Sequence, residues 1–221
     1  MTEGVRQNME HLLGVLPYLW EGIQLTFIIT IVGVAIGFVI GTFTGLGRLS
    51  KNPFIFGLCT VYVEIIRGTP ILVQILFIYF GISDLFGINL DKITASIIAI
   101  ALNAGAYIAE IVRGGVQSID KGQFEAGDSI GLTKSQTMRL IIWPQAFKRM
   151  IPPLGNQFII SLKDTSLFSA IAVNELLYQG RMYASSVFVY FEPYLMVAFL
   201  YLAITIPASL LLRRLERRLD V

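Results

Sequence analysis

Three polar side chains in an apolar run pose the first chemical question. Gln157, Ser161 and Asp164 stand at i, i+4 and i+7, so on a helix they share one face over two turns. A carboxylate in such surroundings needs a cation. Its neighbour Lys163 would point about 100° away and is a poor partner. An ammonium group brought by a ligand is the alternative. Asn103, Tyr107 and Glu110 form a similar stripe further up the chain. Amides donate and accept, and a carboxylate accepts, so the chemistry is recognition through hydrogen bonds and charge. No nucleophile–base pair accompanies either stripe. The purely structural alternative is that Asn103 and Gln157 bridge helices while Asp164 pairs with the distant Arg67.

The elements carrying these stripes are membrane helices. The 221 residues are 55% hydrophobic and only 14% charged, with mean hydropathy +0.70. That leaves too few charges to cover a soluble domain, where about 25% is usual. Residues 24–47, 93–109 and 193–212 hold no Asp, Glu, Lys, Arg or His, and a crossing needs about 20 residues. We therefore expect an all-α integral membrane protein with five transmembrane helices at 20–46, 54–82, 93–113, 151–178 and 190–212. With the N-terminus outside, twelve Lys and Arg fall on inner segments and three on outer ones. The positive-inside rule then predicts an outside N-terminus and a cytoplasmic C-terminus. Glu3 and Glu10 against Arg6, with no small-residue cleavage site, argue against a signal peptide. A lone cysteine, Cys59, excludes an internal disulfide, and the single His11 has no partners for a metal site.

Three features organise the crossings. Gly33, Gly37, Gly41 and Gly45 make a small-residue stripe against which another helix can pack. Arg67, Gly68, Thr69 and Pro70 interrupt the second apolar run, because Pro70 has no amide donor and clashes with the preceding turn. Either the helix kinks there, or residues 54–66 lie along the cytoplasmic interface and a new helix starts with Thr69 as cap and Pro70 first. Finally E-I-I-R-G at 64–68 recurs as E-I-V-R-G at 110–114. Glu and Arg three apart face one another, which lowers the cost of placing either near lipid.

The longest connection, residues 114–150, is then cytoplasmic. Its G-Q-F-E-A-G at 122–127 has the glycine spacing of a phosphate loop, but Asp128 and Ser129 follow where Lys and Ser or Thr are required. A carboxylate there repels phosphate, so this chain has no nucleotide site of that kind. Instead a helix through residues 124–127, a break at Gly131 and a second helix capped by Thr133 and running through Met138 and Leu140 make a surface suited to a partner's groove. The competing reading is an amphipathic helix on the headgroups.

Glu125, Ala126 and Gly127, three residues, Gly131, nine residues, Ile141, one residue, then Trp143 and Pro144: this layout resembles the E-A-A loop of bacterial ABC importer permeases. Gly127 stands at the third position, where the pattern has alanine, and Trp143 stands for a leucine. The glycine should loosen the helix by up to ~1 kcal/mol. E-I-I-R-G-T-P (64–70), N-A-G-A-Y-I-A-E (103–110), R-M-I-P-P-L-G-N (149–156), Q-F-I-I-S-L-K-D-T-S-L (157–167) and L-R-R-L-E-R-R (212–218) are similar to the polar amino-acid branch, nearest to glutamine permeases. The chain length fits a whole permease subunit. The resemblance implies a type I ABC importer permease fold in a bacterial inner membrane, with no catalysis by this chain. It also implies a second permease subunit, two cytoplasmic ATPase subunits holding ATP and magnesium, and an extracytoplasmic amino-acid-binding protein; no cofactor or nucleic acid is expected on the chain itself. Glu125, Ala126, Gly127 and Gly131 would couple to the ATPase. The pocket would draw on Asn103, Gln157 and Asp164, then Thr69, Tyr107 and Ser161, with Asp164 taking the amino group and Asn103 and Gln157 reading the side chain. Relatives selective for basic amino acids carry Glu at the place of Gln157, so a neutral polar substrate, glutamine foremost, is expected over a basic or acidic one. Two other classes stay open. An ion-coupled secondary transporter would use Glu110 and Asp164 as proton sites, but it lacks an inverted repeat and leaves the loop idle. A membrane enzyme would need a nucleophile–base pair or metal cluster.

Overall fold

The computed structural model describes residues 3–219, with side chains from Leu12 to Leu219. The tail charges Glu3, Arg6 and Glu10 and the lone His11 therefore have side chains outside the described residues. Every regular element among the described residues is helical.

Helix α1 spans Glu3–Gly47, starting well before the expected residue 20. Its glycine stripe lies against α4, Lys92–Gln117. A Cβ on Gly33, Gly37, Gly41 or Gly45 would stand 2.6, 2.9, 2.6 or 2.7 Å from Ile100, the Ala101 carbonyl, the Gly105 carbonyl or the Ala109 carbonyl. The stripe is helix packing: backbones approach closely only because side chains are missing. Helix α4 opens on Asp91, whose carboxylate accepts from the amides of Ile93 and Thr94 at 3.0 Å. Hydrogen bonds from Thr94 above all hold that carboxyl below its ordinary range. Buried along most of its length, α4 is the central post of the fold.

Helix α2, Pro53–Arg67, is capped by Asn52 with proline in the first position. It stops at Gly68, and α3, Ile71–Phe86, leaves at 102° to it. The break is real, but Thr69 is not the cap of α3. Pro70 holds that place, with φ −63° and ψ 140° and no side-chain bond. The Thr69 hydroxyl instead donates back to the Ile65 carbonyl at 2.9 Å, because the last carbonyls of α2 have no helical donors left.

The polar connection folds as anticipated. Helix α5, Lys121–Ser129, starts on Asp120. Gly131 turns the chain at φ +77°, a region that glycine enters freely. Helix α6, Lys134–Thr137, opens with a capping box between Thr133 and Gln136. It passes through one wide turn, Met138–Ile142, into α7, Trp143–Asp164. The expected crossing over 151–178 needs correction. α7 begins earlier and ends at Asp164, a tight turn follows over Thr165–Ile171, and Ala172 reverses the chain at φ +56°. Glu175 then caps α8, Leu176–Val187, accepting from Leu177 and Tyr178 amides at 2.8 and 2.7 Å. α9 spans Phe191–Leu219.

Among the described residues three helices are long and apolar enough to cross a membrane, or four if the bent α2–α3 pair is one span. Two apolar cores lie along α4. Ile29, Ile75, Ala99 and Phe168 pack at one end. Ala104, Ile108, Val112, Ile142, Ala146 and Met150 pack at the other, seating the polar connection on α4.

Candidate functional site: a polar cavity at the helix break

A cavity of about 540 Å3 opens where α2 breaks, lined by Arg67, Thr69, Asn103, Tyr107, Gln157 and Asp164, with Gly68, Pro70, Ile71 and Ile160 between them. Its size suits a small ligand. Five of the six expected pocket residues line it. The sixth, Ser161, is buried behind the wall and accepts from Gln157 Nε2 at 3.3 Å. That bond consumes one amide hydrogen and leaves the Gln157 Oε1 available. Glu110 is not in this cavity, although it shares a helix with Asn103 and Tyr107.

Gln74, which stands behind two lining residues, Thr69 and Asn103, is a residue that sequence reasoning passed over. Its Nε2 donates to the carbonyls of Ile66 and Thr69 at 2.7 and 3.0 Å and to the Thr69 hydroxyl at 3.0 Å. Because carbonyls accept only, the Gln74 Oε1 must face the other way, where Asn103 Nδ2 donates to it at 3.0 Å. Asn103 is therefore held with its Oδ1 free as an acceptor. One buried amide thus fastens the broken helix and orients a pocket residue. The signal was available: Gln74 is a lone amide within I-L-V-Q-I-L, and a polar residue at membrane depth is a site hypothesis by default.

Charge is arranged unevenly. Asp164 faces the cavity, and among the described residues no basic group reaches its carboxylate. The alternative pairing of Asp164 with Arg67 does not form: Arg67 Nη1 lies 3.6 Å from Glu110 and its guanidinium stands 5.4 Å from the Tyr107 ring centre. Glu110 also takes Arg113 at 2.6 Å and Arg48, while Arg48 reaches Glu64 at 3.6 Å. So Glu110 and Arg113 pair within their helix as the spacing foretold, whereas Glu64 and Arg67 find partners on other helices. The two E-x-x-R copies form one cluster below the cavity.

About 40 residues before Asp164, on the separate helix α5, the polar connection presents Glu125 and Ala126 to the surface and buries Gly127. Ile130 is 72% and Leu140 62% exposed beside them.

A helical membrane core built on a close-packed helix pair, a polar cavity at a broken helix and an exposed apolar-tipped loop together define a permease. Residues 33–221 match the family described as "Binding-protein-dependent transport system inner membrane component", and the chain belongs to that family. It is thus a permease subunit of the inner membrane, not a self-contained secondary transporter. The chain is 47% identical over 207 residues to the glutamine transport system permease protein GlnP of Escherichia coli (strain K12), covering 93% of this chain and 94% of that protein. It is 40% identical over 200 residues to the probable glutamine ABC transporter permease protein GlnM of Bacillus subtilis (strain 168), covering 90% and 92%. A solved structure described as an amino acid ABC transporter with histidines superposes with a TM-score of 0.89 at 41% identity, covering 93% of this chain and 96% of that one. A chain of the MetNI methionine ABC transporter, facing inward, shares the fold at a TM-score of 0.74 and 20% identity, covering 97% and 99%.

Proposed function

We propose that this chain forms half of the substrate path of an ATP-driven importer for a polar amino acid, glutamine foremost. Asp164 receives the α-ammonium, while the Asn103 and Gln157 oxygens accept from the side-chain amide. Tyr107 and Thr69 shape the wall, and Ser161 fixes the Gln157 amide. A second permease subunit completes the path, an extracytoplasmic binding protein delivers the amino acid, and two cytoplasmic ATPase subunits bind ATP and magnesium. The membrane arrangement has five crossings with the N-terminus outside. In it α2 lies along the cytoplasmic interface, consistent with its 102° turn from α3 and its bare Phe54, Leu58 and Val61, and α7 with its following turn makes the fourth crossing.

One observation carries this reading. From the Thr133 capping box through the wide turn to Asp164 the chain does not leave helical geometry. The 22 residues of α7 extend about 33 Å at 1.5 Å each. A single rod therefore ends in the exposed loop at one side and in Gln157, Ser161 and Asp164 at the other. An ATPase that grips Glu125, Ala126, Gly127 and Gly131 and closes would rock this rod and open the cavity to alternate faces.

Glu125→Ala tests the grip. Purified in mild detergent, the native chain should bring its ATPase, and the variant should lose most of it and lower ATP-driven uptake about tenfold or more, as when one partner of a hydrogen-bonded charge pair in an interface is truncated. Undiminished association and uptake would contradict the reading. Substrate choice has its own test. Gln157→Glu supplies a full charge where an amide stood, and a charged hydrogen bond contributes about 1.5–3 kcal/mol. The ratio of glutamine to arginine affinity should fall by tenfold or more in reconstituted vesicles; an unchanged ratio would remove Gln157 from the reading of the side chain.

A further inference from the structure

The loop departs from the E-A-A pattern at Gly127, and the structure gives a cause. Gly127 has an ordinary helical backbone, without the positive φ of Gly131, so conformation does not demand glycine. Space does. A Cβ there would stand 2.5 Å from both Cγ2 and Oγ1 of Thr137 and 3.1 Å from its Cβ. Thr137 is 2% exposed, and its hydroxyl is buried without a hydrogen-bond partner. A threonine that keeps an unpaired hydroxyl inside is held there for its shape, since an orphaned buried donor is costly. Its own backbone is fixed, the amide donating to the Thr133 carbonyl at 2.8 Å. The Gly127 carbonyl is fixed too, accepting from the Leu132 amide at 3.0 Å.

The location gives the contact its meaning. Gly127 follows the exposed Glu125 and Ala126 on α5, and Thr137 is the last residue of α6, from which the chain runs directly into α7. We propose that Thr137 is a positioning residue: its side chain, seated in the space that Gly127 leaves, is the joint through which displacement of α5 reaches α7 and the cavity. Alanine and threonine are mutually exclusive across this joint, so glycine–threonine is one matched pair and alanine–alanine another. The proposal rests on the reading of this loop as the ATPase-coupling element.

The test uses the complete complex with its ATPase and binding protein in proteoliposomes, reading amino acid taken up per ATP hydrolysed at equal subunit stoichiometry. Gly127→Ala should lower that ratio about fivefold or more, and Thr137→Ala, which empties the joint, severalfold. Gly127→Ala with Thr137→Ala should return it to within about twofold of the native value. A double variant no better than Gly127→Ala overturns the proposal, as does an unchanged ratio in either single variant. Should Gly127→Ala fail to assemble, Thr137→Ala and the double variant decide the matter, because one only removes atoms and the other refills the space. Failure of the coupling reading itself is separate: the native complex would then show no ATP-dependent uptake at all.

Discussion

Asp164→Asn is expected to lower glutamine uptake by about a hundredfold while leaving membrane yield and ATPase association in place. Asparagine keeps the shape and loses the charge. The carboxylate faces the cavity, forms no ion pair with a described residue and feels only its sequence neighbour Lys163, so no ion pair within the chain is broken when the charge goes. What is lost is the charged bond to the substrate ammonium. Truncating one side of a hydrogen-bonded charge pair in a desolvated site costs about 2–5 kcal/mol, and about 2.8 kcal/mol is a hundredfold in affinity. The loss should appear in substrate affinity and in substrate-stimulated ATP hydrolysis together. Uptake within about threefold of native would mean that the ammonium is read elsewhere.

Gln74→Leu should raise the half-saturating glutamine concentration by roughly tenfold to a hundredfold, although Gln74 is not among the residues lining the cavity. Leucine keeps the buried volume and removes four hydrogen bonds, those to Ile66, to Thr69 twice and from Asn103. Each buried group left unpartnered costs about 1–3 kcal/mol. Freed of Gln74, the Asn103 amide can turn its nitrogen into the cavity, replacing an acceptor with a donor. A selective effect on glutamine over analogues lacking a side-chain amide distinguishes this turn from general loosening of the break. Thermal stability should also fall by a few degrees. Unaltered affinity would leave Gln74 as a brace of the helix break and nothing more.

The two stripes were legible because helical spacing is a strict geometric rule. Gln157 and Asp164 meet Asn103 and Tyr107 across one cavity simply because i, i+4 and i+7 share a face. The loop was legible for the same reason, its caps being local: Thr133 needs only Gln136 three residues on, and Gly131 needs only its positive φ. Misreadings arose where a distant partner decides. Thr69 reads as a helix start, yet the unpaired carbonyls of α2 and the amide of Gln74 claim its hydroxyl. Glu64 and Arg67 read as a local pair, yet Arg48 and Glu110 are nearer. The apolar run after Asp164 hid a reversal at Ala172, because no glycine or proline marks it, and the capping role of Glu175 was overlooked. Gln74 stands outside both stripes, and a solitary amide forms no spacing pattern.

The account depends on an outside engine turning the loop. Proteoliposomes holding this chain alone, and others holding it with its ATPase and binding protein, should be given labelled glutamine with a proton or sodium gradient, with internal ATP, or with both. Accumulation only where the ATPase and ATP are present, indifferent to the ion gradient, is the predicted result. Accumulation by the chain alone, driven by the gradient, would contradict it.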